Sequence, residues 1–218
     1  MLCGVRLKRC CVAAGIDAMS TTTLDFLRHG EPVGGRKYRG QTDDPLTDKG
    51  WTQMRAATAG ARPWSAIISS PLIRCMAFAD WLSAEMALPV QTDRRLAEVG
   101  FGAWEGRNAA QLRQDDPACV INFKLDPVAN RPEGAEPLAD FHARVVAAYE
   151  AIRQKHAGQH VLIVAHAGVI RMAVCHALGL PFSQAYHINV GSAGIARIRI
   201  EHEAGIRFDS LQWLSAGG

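Results

Sequence analysis

The chain has 218 residues, 48% of them apolar and 21% charged. These are the proportions of an ordinary globular domain, and they exclude a disordered chain, a collagen-like repeat and a coiled coil. No run approaches the roughly 20 consecutive apolar residues of a membrane-spanning helix, and the 24 basic residues exceed the 21 acidic ones without a long basic block, which gives no support to nucleic-acid binding.

Residues 1–20 form a leader that opens on basic residues and runs into a short apolar segment. Asp17 interrupts that segment, so the leader lacks the apolar core of an export signal and has little transit-peptide character. It is expected to be a disordered extension, or to lie upstream of a translation start at Met19. Residues 21–218 are expected to form a single domain.

Residues 22–27 (TTLDFL) mix β-branched and apolar side chains and end at Arg28-His29-Gly30, the pattern of a buried strand followed by a loop. Residues 66–69 (AIIS) predict a second strand. It runs into a helix with Ser70 as N-cap and Pro71 at its first position, and Cys75, Met76, Ala79, Leu82 and Met86 follow at helical spacing. Leu138, Phe141, Val145, Tyr149 and Ile152 mark an amphipathic helix. Residues 161–165 (VLIVA) read as a strand covered on both faces. After His166-Ala167-Gly168 comes a helix that stops near Gly179, with Pro181 beyond. Residues 194–200 (GIARIRI) alternate as a late strand nearer an edge would. Residues 31–45 and 106–136 read as loops. Strands alternating with helices over short connections imply an α/β sandwich with a mostly parallel sheet.

The six cysteines (Cys3, Cys10, Cys11, Cys75, Cys119, Cys175) form no C-x-x-C pair. Reduced thiols and a cytoplasmic location are expected, with no metal site.

Polar residues gather at three strand ends: Arg28-His29-Gly30, Ser69-Ser70-Pro71 with Arg74, and His166-Ala167-Gly168. In open α/β sheets the carboxyl ends of strands face one crevice. Two arginines and two histidines would meet there beside helix N-termini, which is an anion site, because guanidinium forks and free helix N–H groups both suit phosphate oxygens. Taken singly, each has an ordinary structural reading, a satisfied core histidine or a surface arginine. Competing motifs are missing: there is no G-x-x-x-x-G-K-[ST] loop, and Gly100, Gly102 and Gly106 miss the dinucleotide spacing by one residue. Residues 191–194 (GSAG) do not make a G-x-S-x-G elbow.

Residues 27–31 (LRHGE) resemble the signature of the histidine phosphatase superfamily, the phosphoglycerate mutase-like enzymes. Four further stretches are similar to that family in the same order: residues 39–47 (RGQTDDPLT), 69–75 (SSPLIRC), 96–106 (LAEVGFGAWEG) and 164–168 (VAHAG). The resemblance covers about residues 22–200 and implies a three-layer α/β/α sandwich. Within the family, FGAWEG and residues 131–139 (RPEGAEPLA) look most like the α-ribazole phosphatase branch of the cobalamin pathway. Glu136-Pro137 departs from a frequent Glu-Ser pair, and the segment after Gly106 is shorter than in cofactor-dependent mutases, which favours hydrolysis over mutase chemistry.

The resemblance assigns His29 as the nucleophile that forms a phosphohistidine and Glu98 as the proton donor. Arg28, Arg74 and His166 would hold the phosphoryl oxygens, with the Gly168 N–H as a further donor and Gln41 and Thr42 as hydrogen-bonding groups toward the substrate. No cofactor or metal is implied, and the expected partner is a small phosphomonoester, with α-ribazole 5′-phosphate or the corresponding cobalamin phosphate as the specific candidate. Asp43 and Asp44 are rival acids that more readily begin a turn before Pro45, and Trp104 could stack on a base or simply pack. A broad-specificity, sugar or glycerate phosphatase and a non-catalytic phospho-ligand binder are the alternatives. The binder loses ground because all five core residues are present.

Overall fold

The computed structural model describes residues 20–215. Of the leader it includes only Ser20, the first residue of a strand; the expectations for residues 1–19, including a start at Met19, lie outside the described residues.

The strands are β1 (Ser20–Arg28), β2 (Ala66–Ser69), β3 (Val90–Thr92), β4 (His160–Ala165), β5 (Ile195–Glu203) and β6 (Ile206–Leu214). The helices are α1 (Asp48–Ala57), α2 (Ile73–Met86), α3 (Ala109–Asp115), α4 (Cys119–Leu125), α5 (Leu138–Lys155) and α6 (Ala167–Ala177). One six-stranded sheet has the order β3-β2-β4-β1-β5-β6, parallel from β3 to β1 and antiparallel through β5 and β6.

Alternation along each strand builds two cores, one on each face of the sheet. Leu24 and Phe26 of β1 and Val161, Ile163 and Ala165 of β4 join α5 and α6 in one core. Leu27 of β1 and Leu162 and Val164 of β4 join Met54 of α1 and Cys75, Phe78, Ala79 and Leu82 of α2 in the other. The β4 run is therefore apolar throughout because both of its faces are covered, and the architecture is the expected three-layer sandwich.

Three parallel strands stop at the same level: Leu27 and Ser69 both pair with Val164, and Arg28 pairs with Ala165. The residues that follow each strand are thus neighbours. This register positions the site.

The helix after β2 differs from its sequence reading. It begins at Ile73 with Leu72 as N-cap, and neither Ser70 nor Pro71 is part of it. The Ser70 hydroxyl is hydrogen-bonded to the His166 imidazole instead, and the free Ile73 N–H donates to Asp43 Oδ1 at 2.7 Å. A side chain from a distant loop thus caps the helix. The stop of α6 agrees with expectation, with Gly179 at φ +64° just beyond it. Residues 106–136 hold α3 and α4 rather than an unbroken loop. The edge strand beside β5 is β6, whose alternation is broken by an irregular register opposite Arg197 and Ile198.

Candidate active site

His29 follows β1 directly, and its backbone is held on both sides, with its N–H donating to the Ala165 carbonyl and its carbonyl accepting from Ala193 N–H. The imidazole is buried, and Nδ1 lies 2.7 Å from the Gly30 carbonyl oxygen. A carbonyl can only accept, so Nδ1 carries the proton and Nε2 is left with its lone pair free. Gly30 has no room for a side chain: a Cβ there would stand 2.2 Å from the Gly50 carbonyl oxygen, where α1 begins. Burial, followed by the charges of Arg28 and Arg74, holds the His29 imidazole well below its ordinary pKa, so it is neutral.

His166 occupies the N-cap position of α6, and its ring meets that of His29 edge-on with 5.2 Å between centroids. Its Nε2 lies 2.7 Å from Ser70 Oγ. Burial and the Arg74 charge depress its pKa as well. Beside these two neutral rings stand two guanidinium groups. Arg28 donates to the Val190 carbonyl at 2.7 Å, and Arg74 donates to the carbonyls of Thr42 and Gly40 at 2.7 and 3.0 Å. The Nε atoms of both are buried without a hydrogen-bond partner, and among the described residues no carboxylate forms an ion pair with either. Burial lowers Arg28 to about 10, an effect opposed by the nearby Glu98. A buried and a half-buried cation, neither ion-paired to a carboxylate, are costly unless an anion completes the site.

Glu98 approaches from the segment between β3 and α3. Its Oε2 accepts the Gly168 N–H at 3.3 Å, and its Oε1 accepts its neighbour Val99 N–H at 3.0 Å. The carboxylate thus docks on the start of α6, two residues from His166. A Cβ at position 168 would lie 2.2 Å from Glu98 Oε1, so only glycine permits this approach.

The structure brings His29, Arg28, Arg74, His166 and Glu98 together. It gives the other expected residues protein partners. The Gly168 N–H is engaged by Glu98, Gln41 Nε2 donates to the Glu98 carbonyl at 2.5 Å, and Thr42 Oγ1 donates to Glu105 at 3.4 Å. Asp43 caps α2, and Asp44 pairs with Lys37 and Arg39, which accounts for both rival acids. Trp104 is half-buried against Tyr38 and Phe123.

Residues that sequence reasoning missed frame the site. Glu105 accepts from the N–H groups of Gln41 and Phe101 and so ties the two loops together. Ser70 orients His166. Arg144 and Glu136 grip the backbone around Glu98. The motif blocks contain Glu105 and Ser70, but nothing in the spacing of Glu136 and Arg144 reveals that they meet over residues 95–100. Among the described residues no three His, Cys, Asp or Glu side chains cluster as metal ligands, and no helix is long and apolar enough to cross a membrane.

Comparison with known proteins shows the family of the chain. The family described as "Histidine phosphatase superfamily (branch 1)" matches residues 24–212. Glucosyl-3-phosphoglycerate phosphatase of Mycobacterium tuberculosis is 32% identical over 209 residues, covering 89% of this chain and 93% of that protein. The solved structure of the mycobacterial glucosyl-3-phosphoglycerate phosphatase with VO3 superposes with a TM-score of 0.80 at 28% identity, over 89% of this chain and 99% of that one. The α-ribazole phosphatase of Shigella flexneri gives a TM-score of 0.72 at 27% identity, over 88% and 95% of the two chains.

Proposed function

The chain belongs to the histidine phosphatase superfamily and is a phosphatase, and from that premise we propose that it hydrolyses a small phosphomonoester through a phosphohistidine on His29. One observation carries this reading: a neutral imidazole with a free Nε2 stands beside the guanidinium groups of half-buried Arg28 and buried Arg74, neither of which is ion-paired to a carboxylate among the described residues.

His29 Nε2 attacks phosphorus in line, and the N–P bond forms as the ester P–O bond breaks. The departing alkoxide takes a proton from Glu98. The positive charge that develops on the ring is met by the Nδ1–H bond to the Gly30 carbonyl. Arg28, Arg74 and His166 hold the equatorial oxygens, a contribution of about 3 kcal/mol for each well-placed donor. Water then attacks phosphorus, Glu98 takes its proton, and the N–P electron pair returns to His29. Gly168 serves this cycle by holding Glu98, and Gln41 and Thr42 serve it by framing the loop.

For the leaving group, α-ribazole 5′-phosphate remains the specific candidate. The half-buried Tyr38–Trp104 wall suits a flat base, and an α-ribazole phosphatase is among the structural relatives. A second reading, an ester whose leaving group carries its own anion, is favoured by Arg171 and Arg36, whose charges act on Arg28 and Tyr38 and which form no ion pair among the described residues. The reducing, cytoplasmic location expected above is part of the same proposal and rests on the sequence.

The test is kcat/KM for α-ribazole 5′-phosphate, 3-phosphoglycerate and p-nitrophenyl phosphate, with EDTA present. A preference of several orders of magnitude for the ribazole ester supports the first reading, and the same preference for the glycerate supports the second. Similar low values for all three would reject both leaving groups, because phosphate binding alone does not discriminate among esters. Loss of activity in EDTA would contradict the metal-independent chemistry.

A further inference from the structure

We propose that Arg144, backed by Glu136, is the positioning residue for the Glu98 acid; this rests on the phosphohistidine reading of the site. Arg144 stands in the second turn of α5, outside the group of residues around phosphorus. Its Nη1 donates to the carbonyls of Arg95 and Ala97, both at 2.7 Å, and its Nη2 donates to the carbonyl of Glu98 itself at 3.1 Å. Its Nε and Nη2 also form a two-pronged pair with Glu136, at 2.7 and 2.9 Å. Glu136 in turn accepts the Gly100 N–H at 3.2 Å.

The Arg144–Glu136 pair therefore spans the backbone from residue 95 to residue 100 and anchors it to a long helix packed on the sheet. Lysine cannot reproduce this fork, because an ammonium lacks the planar, fixed array of donors. Arg144 and Glu136 line an open cleft of about 730 Å³ that His29, His166, Arg28 and Arg74 do not line. The clamp thus acts from behind the acid. It reaches the chemistry through the placement of Glu98, and its charge, which Arg144→Lys keeps, also acts on His166.

A misplaced acid has a characteristic kinetic signature. Proton donation matters when the leaving group is a poor one and hardly at all when it is already a stable anion. Geometry is steep here, since an error of about 1 Å can cost on the order of a hundredfold. In Arg144→Lys, kcat on an alkyl phosphate is expected to fall roughly ten- to hundredfold, whereas kcat on p-nitrophenyl phosphate falls by less than about threefold and KM changes little. Glu136→Gln, which keeps the shape and removes the counter-charge, should shift the two substrates in the same directions by a smaller factor.

The experiment measures wild type, Glu98→Gln, Arg144→Lys and Glu136→Gln side by side on both substrates. Equal slowing of the two substrates in Arg144→Lys, while Glu98→Gln separates them, overturns the positioning role and leaves the acid assignment standing. Failure of Glu98→Gln to separate them overturns the acid itself, and the clamp with it. If Arg144→Lys does not fold, Glu136→Gln carries the same comparison, and equal slowing there is equally decisive.

Discussion

At the scale of single residues, the site depends on which imidazole nitrogen holds the proton. The Gly30 carbonyl accepts from His29 Nδ1 at 2.7 Å and leaves Nε2 as the nucleophile, and burial beside Arg28 and Arg74 keeps the ring neutral. His29 is therefore expected to show Nδ1 protonated and Nε2 free in imidazole NMR spectra at about pH 6, with no titration near its ordinary value of about 6.5. A His29 signal titrating there would contradict the assignment. The sign for stability follows. The folded pKa lies below the unfolded one, so the unfolded chain binds more protons in the window beneath about 6.5, and this residue costs stability as pH falls into that window. Arg28, His29, Arg74 and His166 were legible because they stand at a strand end or one to five residues past it, where topology brings them together, whereas Glu98 was assigned by the family resemblance. The poise of His29 was not. It comes from a local carbonyl and from guanidinium groups distant in sequence.

At the scale of elements, the sheet is stapled at a point far from the chemistry. Asp25 lies within β1, fully buried on the α1/α2 side, and faces Arg197 of β5 directly across the antiparallel pair. It accepts from Arg197 at 2.7 and 2.8 Å and from Trp64 Nε1 at 2.8 Å, and it pairs with His160 of β4 at 2.9 Å. Burial pushes the carboxyl upward, but the hydrogen bonds from Arg197 and Trp64 outweigh it, and the pKa ends below the ordinary value. Its contribution to stability is thus present above the unfolded value of 3.8 and lost as pH falls through the folded one. Asp25→Ala should cost about 3 kcal/mol, the low end for a broken buried pair because Arg197 is partly exposed and can rehydrate. In a fold of this size that lowers Tm by about 10 °C, checked by thermal melting, with kcat of the folded fraction unchanged. A loss under about 1 kcal/mol would show the staple to be incidental. The segment TTLDFL announced a strand through its apolar and β-branched residues, but a lone Asp within it gave no hint of three partners from three other parts of the chain. The start of α2 was misread for a related reason: Ser70-Pro71 has the composition of a helix start, yet tertiary demand from His166 took the hydroxyl and Asp43 replaced it.

At the scale of the whole molecule, two cores on opposite faces of one sheet leave the carboxyl ends of β1, β2 and β4 as a shared, polar-lined end. Much of this was readable. Strand-helix alternation and the all-apolar β4 run implied the sandwich, and five ordered motif blocks implied the family. What escaped was structure without a periodic signal. α3 and α4 have seven residues each, too short for a clear 3.6-residue pattern, and the alternation of β6 is disturbed where its register slips. The central claim, that phosphorus passes through His29, is tested most directly by mixing enzyme with a labelled phosphomonoester, quenching within milliseconds in base and mapping the label. The account predicts up to one base-stable, acid-labile phosphate per chain on the peptide containing His29, which disappears on chase with unlabelled substrate and is absent in His29→Ala. Label on another residue, or full turnover by His29→Ala, would contradict it.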